Sequence, residues 1–174
     1  MAGRFTAADI PGLSGRTVFF DANVVMYLFW PVLSEGNWSD KYASIFGKLL
    51  ANKNPLAVNS FILSEVINLV LRLEYKGYEN AYRNFKIFRD SPDGRKVQED
   101  IFDILKDKVL NYFSVTDKQM TAADIKNMLA VDNLDFNDKI IVDVCKEYNM
   151  VLLTNDADFA VAGIDILSAN KRLR

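Results

Sequence analysis

The stretch Thr17–Val18–Phe19–Phe20–Asp21–Ala22–Asn23–Val24–Val25 decides how this chain folds. Val18, Phe19 and Phe20 form an apolar run that ends at a carboxylate, with Gly15 as punctuation before it, and this predicts a buried strand. The chain is apolar again from Val24 to Trp30, where Pro31 stops it, which predicts a short buried helix. A strand that ends on Asp and turns into a helix fits an open parallel sheet, whose ligands bind outside the carboxyl ends of the strands.

Further along, Ser39 is a good N-cap for a helix with Tyr42, Ile45, Phe46, Leu49 and Leu50 inward. Pro55–Val58 is β-compatible. A long helix is predicted from Ser60 to about Lys76, ended by Gly77, with Leu63, Val66, Ile67, Val70 and Leu71 as its stripe. Tyr78 to about Arg89 reads as a helix, Ser91–Gly94 as a turn, Lys96–Tyr112 as a helix, Phe113–Val115 as a strand and Thr121–Leu129 as a helix. The last third is clearest. Asn137–Tyr148 reads as a helix with Ile140, Ile141, Val144, Cys145 and Tyr148 inward, and Met150–Leu153 as an unbroken apolar strand. Thr154–Asp158 is a polar loop, and Ile164–Leu167 a final short strand. Short apolar strands separated by helices predict an α/β fold with a mostly parallel sheet covered on both faces. With 174 residues the chain reads as a single domain, 1–174, with a helical elaboration at about 91–132.

Composition narrows the chemistry. No apolar run reaches the roughly 18 residues of a membrane span, and no basic-then-apolar leader opens the chain. One cysteine rules out an internal disulfide and fits a cytoplasmic protein. There is no histidine, which removes His-based acid–base chemistry, His-containing triads and His-bearing zinc sites. Any catalysis must come from carboxylates, lysines, hydroxyls or a bound hard cation. The net charge of −2 argues against a basic glove for nucleic acid, though not against a local basic patch.

The carboxylates are placed rather than scattered. Asp21 and Asp156 each follow a predicted strand, Asp138 opens the helix before the second of those strands, and Glu65 lies in the first turns of another helix. Taken singly, each is more simply a cap or turn residue. Together they converge on one sheet edge, where their repulsion is relieved by protonation or by a cation. Oxygen ligands suit Mg²⁺ or Mn²⁺, which activate water for attack at phosphorus without histidine.

These residues resemble the PIN-domain family. The opening motif is Val18–Phe19–Phe20–Asp21–Ala22–Asn23, the second Leu63–Ser64–Glu65–Val66 and the third Asp135–Phe136–Asn137–Asp138. The last is Leu152–Leu153–Thr154–Asn155–Asp156–Ala157–Asp158–Phe159. The resemblance spans Thr17 to Leu167. It implies a three-layer α/β/α fold and an endoribonuclease using Mg²⁺ or Mn²⁺. Asp21, Glu65, Asp138 and Asp156 would be the catalytic and metal-site acids, with Asp158 replacing or assisting Asp156. Asn23 and Thr154 would be polar supports. It also implies a toxin held by an antitoxin protein, often as a homodimer, although this chain is longer than the compact toxins. The alternatives are a PIN-like module that binds protein or RNA without catalysis, and a phosphatase with Asp21 as nucleophile. The phosphatase would want an Asp where Asn23 stands.

An RNA substrate needs cations. Arg72 and Lys76 lie one turn apart, Lys139 neighbours Asp138, and Arg83, Lys86 and Arg89 recur every three residues. Arg95, Lys96 and the tail Lys171–Arg174 add more, and Tyr75, Tyr78 and Tyr82 are interleaved as rings for unpaired bases. Taken one at a time, these are more simply a solvated helix face and core aromatics.

Overall fold

The computed structural model describes residues 2–33 and 36–173; Arg174, the end of the basic tail, lies outside them. Six short strands form one sheet: β1 (Arg4–Phe5), β2 (Val18–Phe20), β3 (Leu56–Val58), β4 (Ser114–Val115), β5 (Val151–Leu153) and β6 (Ile166–Leu167). Every pairing is parallel, in the order β1-β6-β5-β2-β3-β4. The helices are α1 (Ala22–Phe29), α2 (Trp38–Ala51), α3 (Ser60–Tyr75), α4 (Phe85–Asp90), α5 (Pro92–Ile104), α6 (Leu110–Tyr112), α7 (Ala122–Met128) and α8 (Phe136–Glu147). The expected three-layer α/β/α fold is the one the chain adopts. β2, β3 and β5 are buried at every position, as central parallel strands covered on both faces must be.

The strand order sets the position of everything polar. From β2 the chain builds outward through β3 to β4, then crosses back to β5 and builds outward through β6 on the other side. The switch point therefore falls between β2 and β5, the place where an open α/β sheet leaves a crevice at its carboxyl edge. Five polar residues are buried among the described residues: Asp21, Asn54, Asn59, Thr154 and Ser168. All but Asn54 directly follow a strand (β2, β3, β5 and β6 in turn), so the interior polarity is concentrated on that edge.

Several elements differ from expectation. β1 has no apolar run to announce it and exists by pairing Arg4 and Phe5 with Ile166 and Leu167. α2 starts at Trp38, so Ser39 lies inside the helix rather than capping it. The helix expected over Tyr78–Arg89 is only α4. Asn84 stops its extension toward the N-terminus: it is extended (φ −156°) and accepts the Ile87 N–H at 3.0 Å. Arg83 is therefore off the helix, and no shared cationic face with Lys86 and Arg89 forms. Tyr75, Tyr78 and Tyr82 close around Phe88, with ring centroids 5.4, 4.8 and 5.7 Å away, and so build a local core.

Ser91–Gly94 is not a turn between elements but the start of α5. Ser91 caps it, accepting the Gly94 N–H at 3.1 Å, and Pro92 takes the first helical position. The chain stays helical from α5 through a π-helical segment, Leu105–Val109, into α6. This stretch also belongs to the main core: Ile101, Leu105 and Val109 are buried in it, and β4 pairs with β3. α8 is capped by Asp135 rather than by Asn137 or Asp138. Tyr148, expected inward, is 45% exposed and donates its hydroxyl to the Asp117 carbonyl at 3.1 Å.

Candidate active site

Asp21 is the residue after β2 and the N-cap of α1. Its backbone N–H donates to the Leu153 carbonyl at 3.1 Å, which continues the β2–β5 pairing to the sheet edge. One carboxylate oxygen accepts the Ala22 N–H at 2.7 Å. The other accepts the Thr154 hydroxyl at 2.6 Å and the Asn23 amide at 2.6 Å. A buried carboxylate is thus fixed by three donors. Burial is the stronger influence, however, and with the charges of Glu65 and Asp156 it pushes Asp21 up to about 6.

The other acids reach the same crevice from helix starts. Asp156 follows Thr154 by two residues, and its N–H donates to the Thr154 hydroxyl at 2.9 Å. Its carboxylate caps the next turn by accepting the Asp158 N–H at 2.9 Å. Asp138 sits in the first turn of α8, where its N–H donates to Asp135 at 2.8 Å. Partial burial, then the charges of Asp135, Asp156 and Asp21, push Asp138 up to about 6. Glu65, on the second turn of α3, is raised by burial and by Asp135, Asp138 and Asp156. Asn59 sets the position of that helix by accepting the Ile62 N–H at 2.8 Å.

A cleft of about 270 Å³ is lined by Asp21, Asn23, Glu65, Asp138, Asp156 and Asp158, together with Asp135 and Asn137. All five expected acids and Asn23 meet there, and Thr154 lies behind, holding Asp21. The cap and turn reading of Asp21 and Asp156 holds at the same time: the bonds that cap a helix also aim the carboxylate. Asp135 was not singled out beforehand. Its signal was the Asp-x-x-Asp spacing of a capped helix start at Asp135–Asp138.

The expected cations do not join the cleft lining. The Lys139 ammonium is held by the Met128 carbonyl at 3.2 Å, by the Ala130 carbonyl and by Asp132 at 3.1 Å. It ties α8 to the loop after α7 instead of reaching past Asp138. Arg72 lies over the Phe85 ring, 4.5 Å from its centroid. Lys76 is exposed just past the end of α3.

The donor set fits a hard cation. Every candidate ligand is an oxygen, and burial with the neighbouring charges raises the proton affinity of Asp21, Glu65 and Asp138, a repulsion that a cation would relieve. Among the described residues no three acids stand close enough together to hold a metal ion between them. Mg²⁺ does not need three, since it keeps several waters and takes one or two carboxylates.

Fold and cleft together define a parallel α/β protein with a carboxylate cleft at its topological switch point. The PIN domain family model matches residues 18–164, and the chain belongs to that family. No curated protein matches it. Among solved structures it is similar to a chain in "Crystal structure of VapBC2 from Rickettsia felis bound to a DNA fragment from their promoter". The TM-score is 0.52 at 17% identity, over 87% of this chain and 98% of that one.

Proposed function

We propose that this chain is a ribonuclease that hydrolyses RNA phosphodiester bonds at the acidic cleft with Mg²⁺ or Mn²⁺ bound. The observation that carries the reading is the convergence of Asp21, Glu65, Asp138 and Asp156 on one crevice from four distant places in the chain. These four would hold the ion directly or through water, with Asp158 beside Asp156. The ion supplies an activated water and shields the charge on phosphate oxygens. Thr154 and Asn23 hold Asp21 in one orientation. Asp135 keeps the start of α8, and so Asp138, facing the crevice. Family membership supports nuclease chemistry. It and the likeness to VapBC2 support an antitoxin protein as partner; a cytoplasmic setting and pairing of the chain as a homodimer are part of the same proposal. Among the described residues no helix is long and apolar enough to cross a membrane.

The test is cleavage of single-stranded RNA with and without Mn²⁺ or Mg²⁺, beside Asp21→Asn and Asp138→Asn. Cleavage should need the metal and be lost in both variants. Equal cleavage by all three proteins would sink the proposal. Calorimetric titration with Mn²⁺ separates it from a module that only binds, which predicts no heat.

A further inference from the structure

A second concavity, of about 720 Å³, lies between α2 and the chain that follows β6. Trp38, Lys41, Ser44, Ser168, Lys171 and Arg172 line it, with one acid, Asp40, among the lining residues. Behind Trp38 a stack of rings runs through the interior toward the acidic cleft. Trp38 is tilted against Tyr42 at 6.3 Å, and Tyr42 stacks on Tyr27 at 5.6 Å. Tyr27 feels the charges of Asp21 and Asp156. The polar side of the concavity is bonded to residues that adjoin the cleft. Ser168 donates to the Thr154 carbonyl at 2.6 Å while the Thr154 hydroxyl holds Asp21, and Asn170 donates to the Asn155 carbonyl at 2.7 Å, one residue before Asp156.

We propose that this groove binds flanking nucleotides of a single-stranded RNA whose scissile bond lies in the acidic cleft; the proposal rests on the ribonuclease reading. An acidic cleft repels a polyanion, so the strand must be held by cations nearby, and Lys139 and Arg72 are committed elsewhere. Among the described residues Lys41, Lys171 and Arg172 take part in no ion pair. Lys41 rests over the Trp38 indole, 4.2 Å from its centroid, so this face already holds a cation by its π-electrons. An incoming base takes that face, and Lys41 swings onto the adjoining phosphate. Stacking on an indole with phosphates on flexible cations is the general mode of single-strand binding. It favours unpaired over duplex RNA, because a duplex hides its base faces.

The experiment uses the full chain carrying Asp138→Asn and an uncleavable 2′-O-methyl 12-mer. Tryptophan fluorescence is followed, with Trp38 the half-buried one of the two indoles and Trp30 in the core. The single strand should quench the emission and a duplex of the same sequence should not. Adding Lys171→Ala with Arg172→Ala should weaken binding about tenfold and flatten its salt dependence by about two phosphate contacts. Trp38→Leu should weaken binding by a similar factor; made in the chain that keeps Asp138, it should leave Mn²⁺ affinity unchanged, as the sign that the chain is folded. Equal binding of strand and duplex, or unchanged affinity in the double-alanine protein, overturns the groove. The two readings fail separately: wild type that cleaves RNA while the groove variants bind normally refutes the groove alone. Quenching by the strand without any metal-dependent cleavage refutes the nuclease alone.

Discussion

Thr154 is fully buried, and its hydroxyl has two duties: it donates to Asp21 and accepts the Asp156 N–H. Its bond to Asp21 favours the ionised carboxylate. Thr154→Val keeps the shape and removes the donor, so Asp21 should ionise at higher pH. A metal displaces that proton. Mn²⁺ affinity should therefore fall several-fold more at pH 6 than at pH 8, by calorimetry; an equal loss at both would show that the hydroxyl does not set the charge. The burial of Asp21 gives a second prediction, for metal-free protein. Its proton affinity is raised on folding, to about 6 from an ordinary 3.8. Between those values the folded state binds more protons than the unfolded one, so stability falls as pH rises through the window and stays low above it. The contribution is on the order of 3 kcal/mol. In EDTA the Tm should thus rise as pH drops from 7.5 to 5, and Asp21→Asn should flatten that rise. Single residues also marked the limit of reading the sequence. Asp21, Asp138 and Asp156 were legible because strand ends and helix starts lie in predictable places. Lys139 was not, because adjacency to Asp138 says nothing of a long side chain's direction, and three oxygens from the end of α7 and the loop after it claim its ammonium.

Elements were legible where their pattern was local. β5 and α8 follow from unbroken apolar and helical spacing. β1 and the true extent of α4 do not, since one depends on a partner 162 positions away and the other on the extended backbone of Asn84. Gly94 illustrates how a turn signal can mislead. It sits in α5 because a Cβ there would lie 2.0 Å from the Phe88 carbonyl, so it permits the close crossing of α4 and α5. Gly94→Ala should destabilise the fold by about 1–3 kcal/mol in urea unfolding, although alanine is the better helix former. Removing the buried cap at the start of α3 with Asn59→Ala should cost about 1–2 kcal/mol. It should also lower cleavage, because the first turns of α3 carry Glu65.

Over the whole molecule, the cleft brings together parts that are far apart in the chain. Four acids, from the ends of β2 and β5 and from α3 and α8, face one another there, and on the metal-bound reading a cation would join them. Mn²⁺ at about 100 times its Kd should stabilise the fold by about 2.7 kcal/mol, seen as a higher Tm at pH 8. Asp21→Asn with Asp138→Asn should abolish that rise; a rise unchanged in the double variant would place the ion elsewhere. The chain's order of synthesis adds a further consequence. The bond between Thr154 and Asp21 spans 133 positions. A ribosome releases Asp21 early and Asp156 late, roughly ten seconds apart at ordinary elongation rates. Until β5 emerges, β2 has only β3 beside it. A half-translated copy thus has one wall of the cleft and no opposite wall. On the ribonuclease reading, the set of acids is complete only after residue 156 has been made, so a copy still growing would leave its own message intact.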